Sequence, residues 1–538
     1  MRHIAALLTL LASTIAVAAP AAAQSLPGTL TSIPTPDGYQ LNAYVSVPTG
    51  QGSGPFPVVV MPSSWGISYV EYVGEADVLA NDGYVVISYS SRGFGTTCAL
   101  SSKCGYIDIA GPLTVGDVST VITWALNNTP SNPNEVGVSG ISYGAGTSLL
   151  AAESDPRIKA VASMSTWADL LASLDANQTP SLQGIALLSF ASYLGKPGTL
   201  MTQVNEDVLA SNYSGAVQAV LADPYTPGRS PITNIAKLNA NGPAVLVANA
   251  FEDSLFVPSQ LINFYNQLTV PKMLLFSHGD HATQELLGAV GFPNEIYSAV
   301  NSWFDHYLKG VNNGINTQQP VQLKSQTGVW STFANWNAVQ QGAVTYNLTQ
   351  PKSCGLLYQC TGSLSSGAGG NWQYGITGGY LTAATTGVAF IGGALTGYLD
   401  LPPGVALSLV NRWNAAVWTG PVSTQTQNLM GMPSLQVTVT PTTHQLTLVA
   451  YLYSVDASTG IGQLITWKPY TLSNAAVGVP QTIAINLEAT NWEIDPGDQL
   501  ALVIGTDDLR YAGVTPLNSD ITFSSSTATP STLTVSLH

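Results

Sequence analysis

Short, mainly apolar runs bordered by glycine or proline recur through the first half of the chain. They lie at residues 56–64, 83–91, 135–140, 159–165, 243–250 and 272–277. Because their apolar positions are continuous rather than alternating, these runs are typical of strands buried on both faces, as in a parallel sheet.

Helical patterns separate several of these runs. They cover residues 69–82, 116–128, 147–155 and 258–268. The alternation of strand and helix predicts a parallel sheet with right-handed crossovers, and therefore a domain of the α/β class.

One interval, residues 166–240, contains amphipathic helical patterns and no clear strand. We interpret an all-helical insertion in an α/β domain as a cap over the carboxyl edge of the sheet. The alternative is a longer crossover without a functional role.

From about residue 320 the pattern changes to short alternating or β-branched runs separated by Gly, Pro, Asn and Asp. Examples lie at residues 434–442, 445–455, 481–489, 499–507 and 531–537. This spacing predicts an antiparallel β-sandwich as a second domain.

The amino terminus reads MRHIAALLTLLASTIAVAAPAAAQS. A short basic start, an apolar stretch and small residues before a cleavage point predict a signal peptide over residues 1–23. A transmembrane anchor is the alternative, and no later run reaches the ~20 apolar residues that a span needs. We therefore expect a secreted or periplasmic protein.

The net charge of the chain argues against nucleic acid as a binding partner. The formal net charge is −15, and only 8% of the residues are charged. Phosphate backbones are bound by clusters of Lys and Arg, and no such cluster is present. Nucleic acid is therefore not an expected partner.

The four cysteines form two close pairs, Cys98 with Cys104 and Cys354 with Cys360. In an oxidising compartment each pair is expected to form a local disulfide, although other pairings stay open. A zinc site is the alternative reading, but no histidine lies at ligand spacing, so no metal is expected.

The segment GISYG, residues 140–144, fits the G-x-S-x-G pattern between a predicted strand and a predicted helix. This context is that of a nucleophile elbow, a tight turn that lifts a serine above the sheet. Ser142 is therefore the candidate nucleophile.

A serine hydroxyl needs a base, and in this architecture the chain order is Ser, acid, His. His281 follows the run 272–277 and is the preferred base, with His278 as the alternative. Asp253 follows the run 243–250 and is the preferred acid, with Glu252 as the alternative.

The negative charge that develops on the substrate oxygen needs hydrogen-bond donors. The backbone N–H of Tyr143 is expected to supply one. Trp65, after the run 56–64, is the candidate for the second, through its backbone or its indole N–H. An apolar pocket wall is the alternative role for Trp65.

The segments SSRGFG, GISYGAGTSLLAAESDPRIKAV, WADLLASL and WFDHYLKG together resemble the CocE/NonD hydrolases, the cocaine-esterase and X-Pro dipeptidyl-peptidase group. The resemblance implies an α/β-hydrolase core at residues 24–165 and 241–318, a helical cap at 166–240 and a jelly-roll sandwich at 319–538. It also implies Ser142, Asp253 and His281 as the catalytic triad.

Three departures from the family pattern concern the substrate. MPSSWG lacks the tyrosine that often supplies the second oxyanion donor in that group. The acid lies in AFED, and the histidine lies in HGDHA rather than after Trp-Ser. The substrate class is therefore not transferred from the resemblance.

These observations predict a secreted serine hydrolase that cleaves an ester or amide of a small molecule or peptide through an acyl-enzyme. Release of N-terminal X-Pro dipeptides is one alternative, and a non-catalytic binding protein that uses the jelly roll is another. No cofactor is expected, because the triad supplies both the nucleophile and the base.

Overall fold

The computed structural model describes residues 28–95, 98–352 and 360–538. The predicted signal peptide, residues 1–23, and Cys354 lie outside the described residues. Within the described ranges, no helix combines the length and the apolar character needed to cross a bilayer.

The first domain is built on a twisted sheet with the strand order β1-β2-β4-β3-β5-β6-β7-β8-β9-β10. Strands β3 to β9 pair in parallel with their neighbours, whereas β1, β2 and β10 join the two edges in antiparallel fashion. The strands are β1 Thr29–Pro34, β2 Gln40–Ser46, β3 Phe56–Pro62, β4 Val85–Tyr89, β5 Ser131–Ile141, β6 Ile158–Met164, β7 Ala244–Ala250, β8 Lys272–Ser277, β9 Val321–Lys324 and β10 Trp330–Phe333.

The central strands are buried on both faces, as their continuous apolar runs predicted. In β3, Val58 and Val60 join the hydrophobic core on one face of the sheet. Val59 and Met61 join a separate core on the opposite face. Helices therefore cover both faces of the sheet, and a functional site can form only at the ends of the strands.

The helices connect these strands or follow them. They are α1 Val73–Asn81, α2 Pro112–Asn128, α3 Ser142–Ser154, α4 Leu170–Leu174, α5 Leu182–Ser192, α6 Thr199–Leu209, α7 Tyr213–Ala222, α8 Ile235–Asn241, α9 Ser259–Gln267, α10 Leu286–Ala289, α11 Glu295–Tyr307, α12 Trp336–Val339 and α13 Ile391–Leu399.

The interval between β6 and β7 holds helices α4 to α8 and no named strand. Side chains of α4 to α7 line a pocket that also includes Ser142. These helices therefore lie over the carboxyl ends of the parallel strands, the position expected of a cap.

The predicted border between the domains at residues 318 and 319 differs from the structure. Strand β9 pairs with β8, and β10 pairs with β9, so both belong to the first sheet. Their short alternating pattern looked like the start of the sandwich, because an edge strand half exposed to solvent alternates in the same way.

The remaining strands belong to one continuous 13-stranded sheet, in which the pairing of β11 with β12 joins two layers that share a hydrophobic core. One layer contains β13, β22, β16, β23 and β11, with β19 and β20 also paired to β16, and the other contains β12, β15, β21, β17, β18 and β14. These strands are β11 Ala343–Leu348, β12 Gly362–Ser365, β13 Trp372–Gly378, β14 Gly404–Ala406, β15 Ala416–Val422, β16 Gln427–Pro441, β17 Leu446–Asp456, β18 Ile461–Leu472, β19 Gln481–Asn486, β20 Thr490–Ile494, β21 Asp498–Gly505, β22 Ser519–Ser525 and β23 Thr532–Leu537.

Candidate active site

Ser142 stands at the turn between β5 and α3, and α3 begins at this residue. Its backbone adopts a left-handed conformation, with φ of 56°, which is strained for a residue with a side chain. The turn places the hydroxyl beside the amino-terminal end of α3, where the helix dipole is positive.

The two glycines of the turn are required by close backbone contact. A Cβ atom on Gly140 would lie 2.6 Å from the carbonyl carbon of Gly144, and one on Gly144 would lie 2.0 Å from the carbonyl oxygen of Pro62. No side chain fits at either position, so the sequence spacing of GISYG follows directly from this geometry.

The structure brings Ser142, His281 and Asp253 together. Nε2 of His281 lies 2.7 Å from Oγ of Ser142. Its Nδ1 lies 3.1 and 3.0 Å from the two carboxylate oxygens of Asp253. All three side chains are buried, so the chain of hydrogen bonds is shielded from bulk water.

The electrostatic environment of His281 favours its protonated form. Burial by itself lowers the pKa of His281, because it disfavours the charged ring. The charge and hydrogen bond of Asp253, with the nearby charges of Asp280 and Glu285, outweigh burial and raise the pKa above its ordinary value. The imidazolium that would form after proton abstraction is thereby stabilised.

The carboxylate of Asp253 is held by the backbone as well as by His281. Its Oδ1 accepts hydrogen bonds from the N–H groups of Leu255, at 2.9 Å, and Phe256, at 2.7 Å. These two donors fix the orientation of the carboxylate toward the imidazole ring.

Glu252 and His278, the alternatives for the acid and the base, contact each other instead of Ser142. Nδ1 of His278 lies 2.6 Å from Oε1 of Glu252, and its Nε2 lies 2.9 Å from the carbonyl oxygen of Asn491. Both ring nitrogens are therefore occupied away from the serine.

Trp65 lies beside the serine loop, but its indole is not free to act as an oxyanion donor. The indole N–H donates to the carbonyl of Leu188 at 2.9 Å. The alternative of an indole donor is therefore wrong. The backbone N–H of Trp65 has no acceptor within the described part of the chain, and the ring packs edge-on against Tyr143 and Phe94.

A pocket of about 100 Å³ opens beside Ser142 under the cap. Its walls are almost entirely apolar, and among the described residues that line it Asp175 alone is charged. The lining includes Trp65, Ile109, Trp167, Leu170, Ile185, Leu188, Met201, Val204, Val217 and Phe256. An apolar substrate group next to the scissile bond would be buried here.

Two family models match the chain in succession. Residues 37–283 match the X-Pro dipeptidyl-peptidase (S15 family) model, and residues 313–536 match the X-Pro dipeptidyl-peptidase C-terminal non-catalytic domain. Together they cover both the α/β domain and the sandwich. The chain belongs to the S15 family, within the CocE/NonD group.

Solved structures share the fold over nearly the whole chain. A CocE/NonD family hydrolase from Staphylococcus aureus has 13% identity and a TM-score of 0.69, with 95% of this chain and 93% of that chain covered. An α-amino acid ester hydrolase has 14% identity and a TM-score of 0.69, with 97% and 99% covered. An aminopeptidase from a marine sediment Thaumarchaeota archaeon has 13% identity and a TM-score of 0.70, with 97% and 98% covered.

A search of curated protein sequences gave no match. The family nevertheless confirms the predicted α/β-hydrolase core with a C-terminal β-rich domain. This S15 family member is a serine hydrolase of ester or amide bonds, so the alternative of a non-catalytic binding protein is wrong.

The loop after β4 in this S15 hydrolase is stiffened in two ways. Cys98 and Cys104 form the predicted disulfide, and the predicted partner of Cys360, Cys354, lies outside the described residues. Arg92 is buried and forms ion pairs with Asp37 at 2.6 Å and Asp117 at 2.5 Å.

Sequence reasoning missed two buried carboxyl groups beside His281. Oδ1 of Asp280 accepts from the backbone N–H groups of His281 and Ser254, at 2.8 Å each, and so links the loop of His281 to the loop of Asp253. Oε1 of Glu285 accepts from the Ser165 hydroxyl at 3.1 Å. Burial raises the pKa of Glu285 to about 7.

Two phenylalanine rings flank the imidazole of His281. The ring of Phe256 lies 5.2 Å from it, and the ring of Phe390 lies 5.9 Å from it, both edge-on. Phe390 belongs to the sandwich domain and precedes α13, so no local pattern could have assigned it to the site. Within the described residues, no cluster of three or more His, Cys, Asp or Glu side chains is arranged to hold a metal ion.

Proposed function

We propose that the protein is an exported serine hydrolase in which Ser142 is the nucleophile, His281 the general base and Asp253 the orienting acid. The observation that supports these roles most directly is the 2.7 Å separation of Ser142 Oγ and His281 Nε2 beside an apolar pocket. Asp253 holds the tautomer of His281 that leaves Nε2 free to accept a proton.

In the first half of the reaction, Oγ of Ser142 attacks the acyl carbon while its proton passes to Nε2 of His281. The oxygen of the tetrahedral intermediate accepts from the backbone N–H groups of Tyr143 and Trp65. The imidazolium then protonates the leaving oxygen or nitrogen, and the acyl group stays on Ser142.

In the second half, His281 takes a proton from a water molecule, which attacks the acyl-serine. The proton returns to Oγ of Ser142 when the carboxylic acid leaves, so the enzyme is regenerated. No oxidant, reductant or cofactor is consumed in either half.

The preferred substrate is an ester with an apolar acyl group. The pocket beside Ser142 presents mainly carbon atoms, and burying an apolar group there contributes about 25 cal/mol per Å². An ester also needs less assistance to its leaving group than an amide does.

Removal of an N-terminal X-Pro dipeptide is the second candidate, and Asp175 supports it. This half-buried carboxyl group lines the pocket and has no hydrogen bond or ion pair from its side chain among the described residues. Burial raises its pKa to about 6. A substrate ammonium group would supply the missing partner.

A fluorophosphonate probe tests the proposed nucleophile. The wild type should be labelled on Ser142, and Ser142→Ala should not be labelled while remaining folded. Equal labelling of the two proteins, or no labelling of the wild type, would refute the assignment.

Two chromogenic substrates test the preference. We expect a higher kcat/KM for p-nitrophenyl butyrate than for Gly-Pro-p-nitroanilide. Asp175→Asn further distinguishes an esterase from a dipeptidyl-peptidase. If Asp175 binds the amine of the dipeptide substrate, this variant should raise KM for that substrate. KM for the butyrate should be unchanged. A preference for the dipeptide would reverse the proposed order.

Export is supported by the amino-terminal pattern and by the Cys98–Cys104 disulfide. The mature protein recovered from the medium or periplasm should begin at Gln24. Recovery of an intact Met1 terminus on a membrane-bound form would contradict this proposal.

A further inference from the structure

A second histidine–carboxylate pair lies next to the triad and joins the same two loops. Glu252 directly precedes Asp253, and His278 lies three residues before His281. Nδ1 of His278 is 2.6 Å from Oε1 of Glu252, and Oε2 of Glu252 accepts from the N–H of Gly279 at 2.9 Å. The two loops are therefore connected by both pairs.

The second pair also reaches the sandwich domain. Nε2 of His278 lies 2.9 Å from the carbonyl oxygen of Asn491 in β20. Asn491 is itself fixed, because its side-chain amide donates to the carbonyl of Leu323 in β9 at 2.9 Å. The imidazole ring is enclosed by the rings of Phe251 and Trp492, at 5.0 and 5.7 Å.

The surroundings determine how His278 is protonated. A carbonyl oxygen only accepts, so Nε2 carries a hydrogen, and the carboxylate of Glu252 faces Nδ1. Burial lowers the pKa of His278, but the charge and hydrogen bond of Glu252 and the carbonyl of Asn491 raise it above its ordinary value. An imidazolium that donates from both nitrogens satisfies both partners.

A buried ion pair of this kind contributes little to stability compared with a well-packed apolar pair. The pair does fix the orientation of the imidazole ring, because each nitrogen must face its own acceptor. His278 cannot serve as the base of the reaction, since neither of its nitrogens faces Ser142.

We infer that Glu252 and His278 are positioning residues through which the sandwich domain holds the loops of Asp253 and His281 in register with Ser142. The inference rests on the proposed triad. A displacement of about 1 Å of a reacting group costs on the order of 100-fold in rate. Loosening these loops should therefore lower kcat without changing the substrate pocket.

Two substitutions separate the links of His278. In His278→Asn, the amide nitrogen occupies the place of Nδ1, so the contact with Glu252 is kept and the contact with Asn491 is lost. In His278→Gln, the amide nitrogen reaches the place of Nε2, so the contact with Asn491 is kept and the contact with Glu252 is lost.

For both variants we expect kcat with the better chromogenic substrate to fall about 10- to 100-fold while KM stays within about two-fold. The maximal rate of labelling by the fluorophosphonate should fall by the same factor. Because every contact of the substrate is intact, a change confined to KM would overturn the inference.

His444→Asn is the matched control. His444 lies in the sandwich domain, and its Nδ1 bonds the carbonyl of Ala475 at 3.0 Å. The asparagine amide can keep this contact, as in His278→Asn, and kcat should be unchanged. If a His278 variant fails to fold, Glu252→Gln provides the second test, because it keeps the shape of the side chain and removes its charge.

The outcomes are distinct. Wild-type protein that does not label refutes the triad itself. Wild-type labelling combined with folded His278 variants whose kcat lies within two-fold of the wild type overturns the positioning role and leaves the triad standing.

Discussion

Two buried histidine–carboxylate pairs lie side by side in this hydrolase, and of the two only the pair of His281 and Asp253 faces Ser142, the proposed nucleophile. Both connect the loop after β7 with the loop after β8. The ring of His281 has the Ser142 hydroxyl on its second nitrogen, whereas the ring of His278 has a backbone carbonyl there. A hydroxyl can give up a proton and a carbonyl cannot, so the third group decides which pair can perform acid–base chemistry.

The two histidine–carboxylate pairs also differ in their access to substrate. Ser142 and its imidazole partner open onto a pocket under the cap, while His278 is enclosed by Phe251 and Trp492. A histidine next to an acid is therefore not by itself a catalytic dyad. The proton donor and the space for substrate must also be present.

The largest expected effect is that of Asp253→Asn. The amide cannot hold the tautomer of His281 that accepts a proton at Nε2, so kcat should fall by about 10⁴-fold with the fold retained. Steady-state kinetics and circular dichroism measure the two properties. A decrease of less than ten-fold would mean that another carboxylate orients the base.

The pH dependence of kcat/KM should follow His281. The base must be neutral, and its pKa is raised above the ordinary value, so activity should decline about ten-fold per pH unit below that raised pKa. Asp253 raises this pKa. In Asp253→Asn the acid limb of the residual activity should therefore move to lower pH, and a shift to higher pH would contradict the electrostatic assignment.

Glu252→Gln should have a smaller effect than Asp253→Asn, although the two acids are adjacent in sequence. We expect kcat to fall about ten-fold, because the loops lose one of their links while the base keeps its tautomer. A loss equal to that of Asp253→Asn would show that the two pairs act as one unit.

The smallest effect on activity is expected for Glu285→Gln, which should change stability instead. The folded-state pKa of Glu285 is raised by burial to about 7 from an ordinary 4.5, so the wild type loses stability as the pH rises through this interval. At pH 8 the free energy of unfolding of the variant should exceed that of the wild type by about 1 to 3 kcal/mol. At pH 4 the two values should be equal.

Glu295→Gln is the control for that measurement. Glu295 is an exposed carboxylate paired with Lys324, which lowers its pKa. Its removal should cost no more than about 1 kcal/mol at pH 8. Equal behaviour of the two variants would contradict the role of burial.

The sequence by itself determined the order of strands and helices, the elbow at Ser142 and the three candidate groups of the site. Continuous apolar runs and the five-residue motif GISYG are local patterns, and the chain order of serine, acid and histidine is typical of this fold class. All three can therefore be recognised without the structure.

The tertiary structure alone decided which of two adjacent acids and which of two nearby histidines faces the serine. Glu252 and Asp253 share one sequence context, and so do His278 and His281. Their side chains are separated by contacts with residues that are distant along the chain, above all the carbonyl of Asn491. Three further features were also decided by the tertiary structure: the position of Phe390 beside His281, the hydrogen bond of the Trp65 indole, and the pairing of the edge strands β9 and β10. Pairing and packing between remote segments leave no periodic pattern in the sequence.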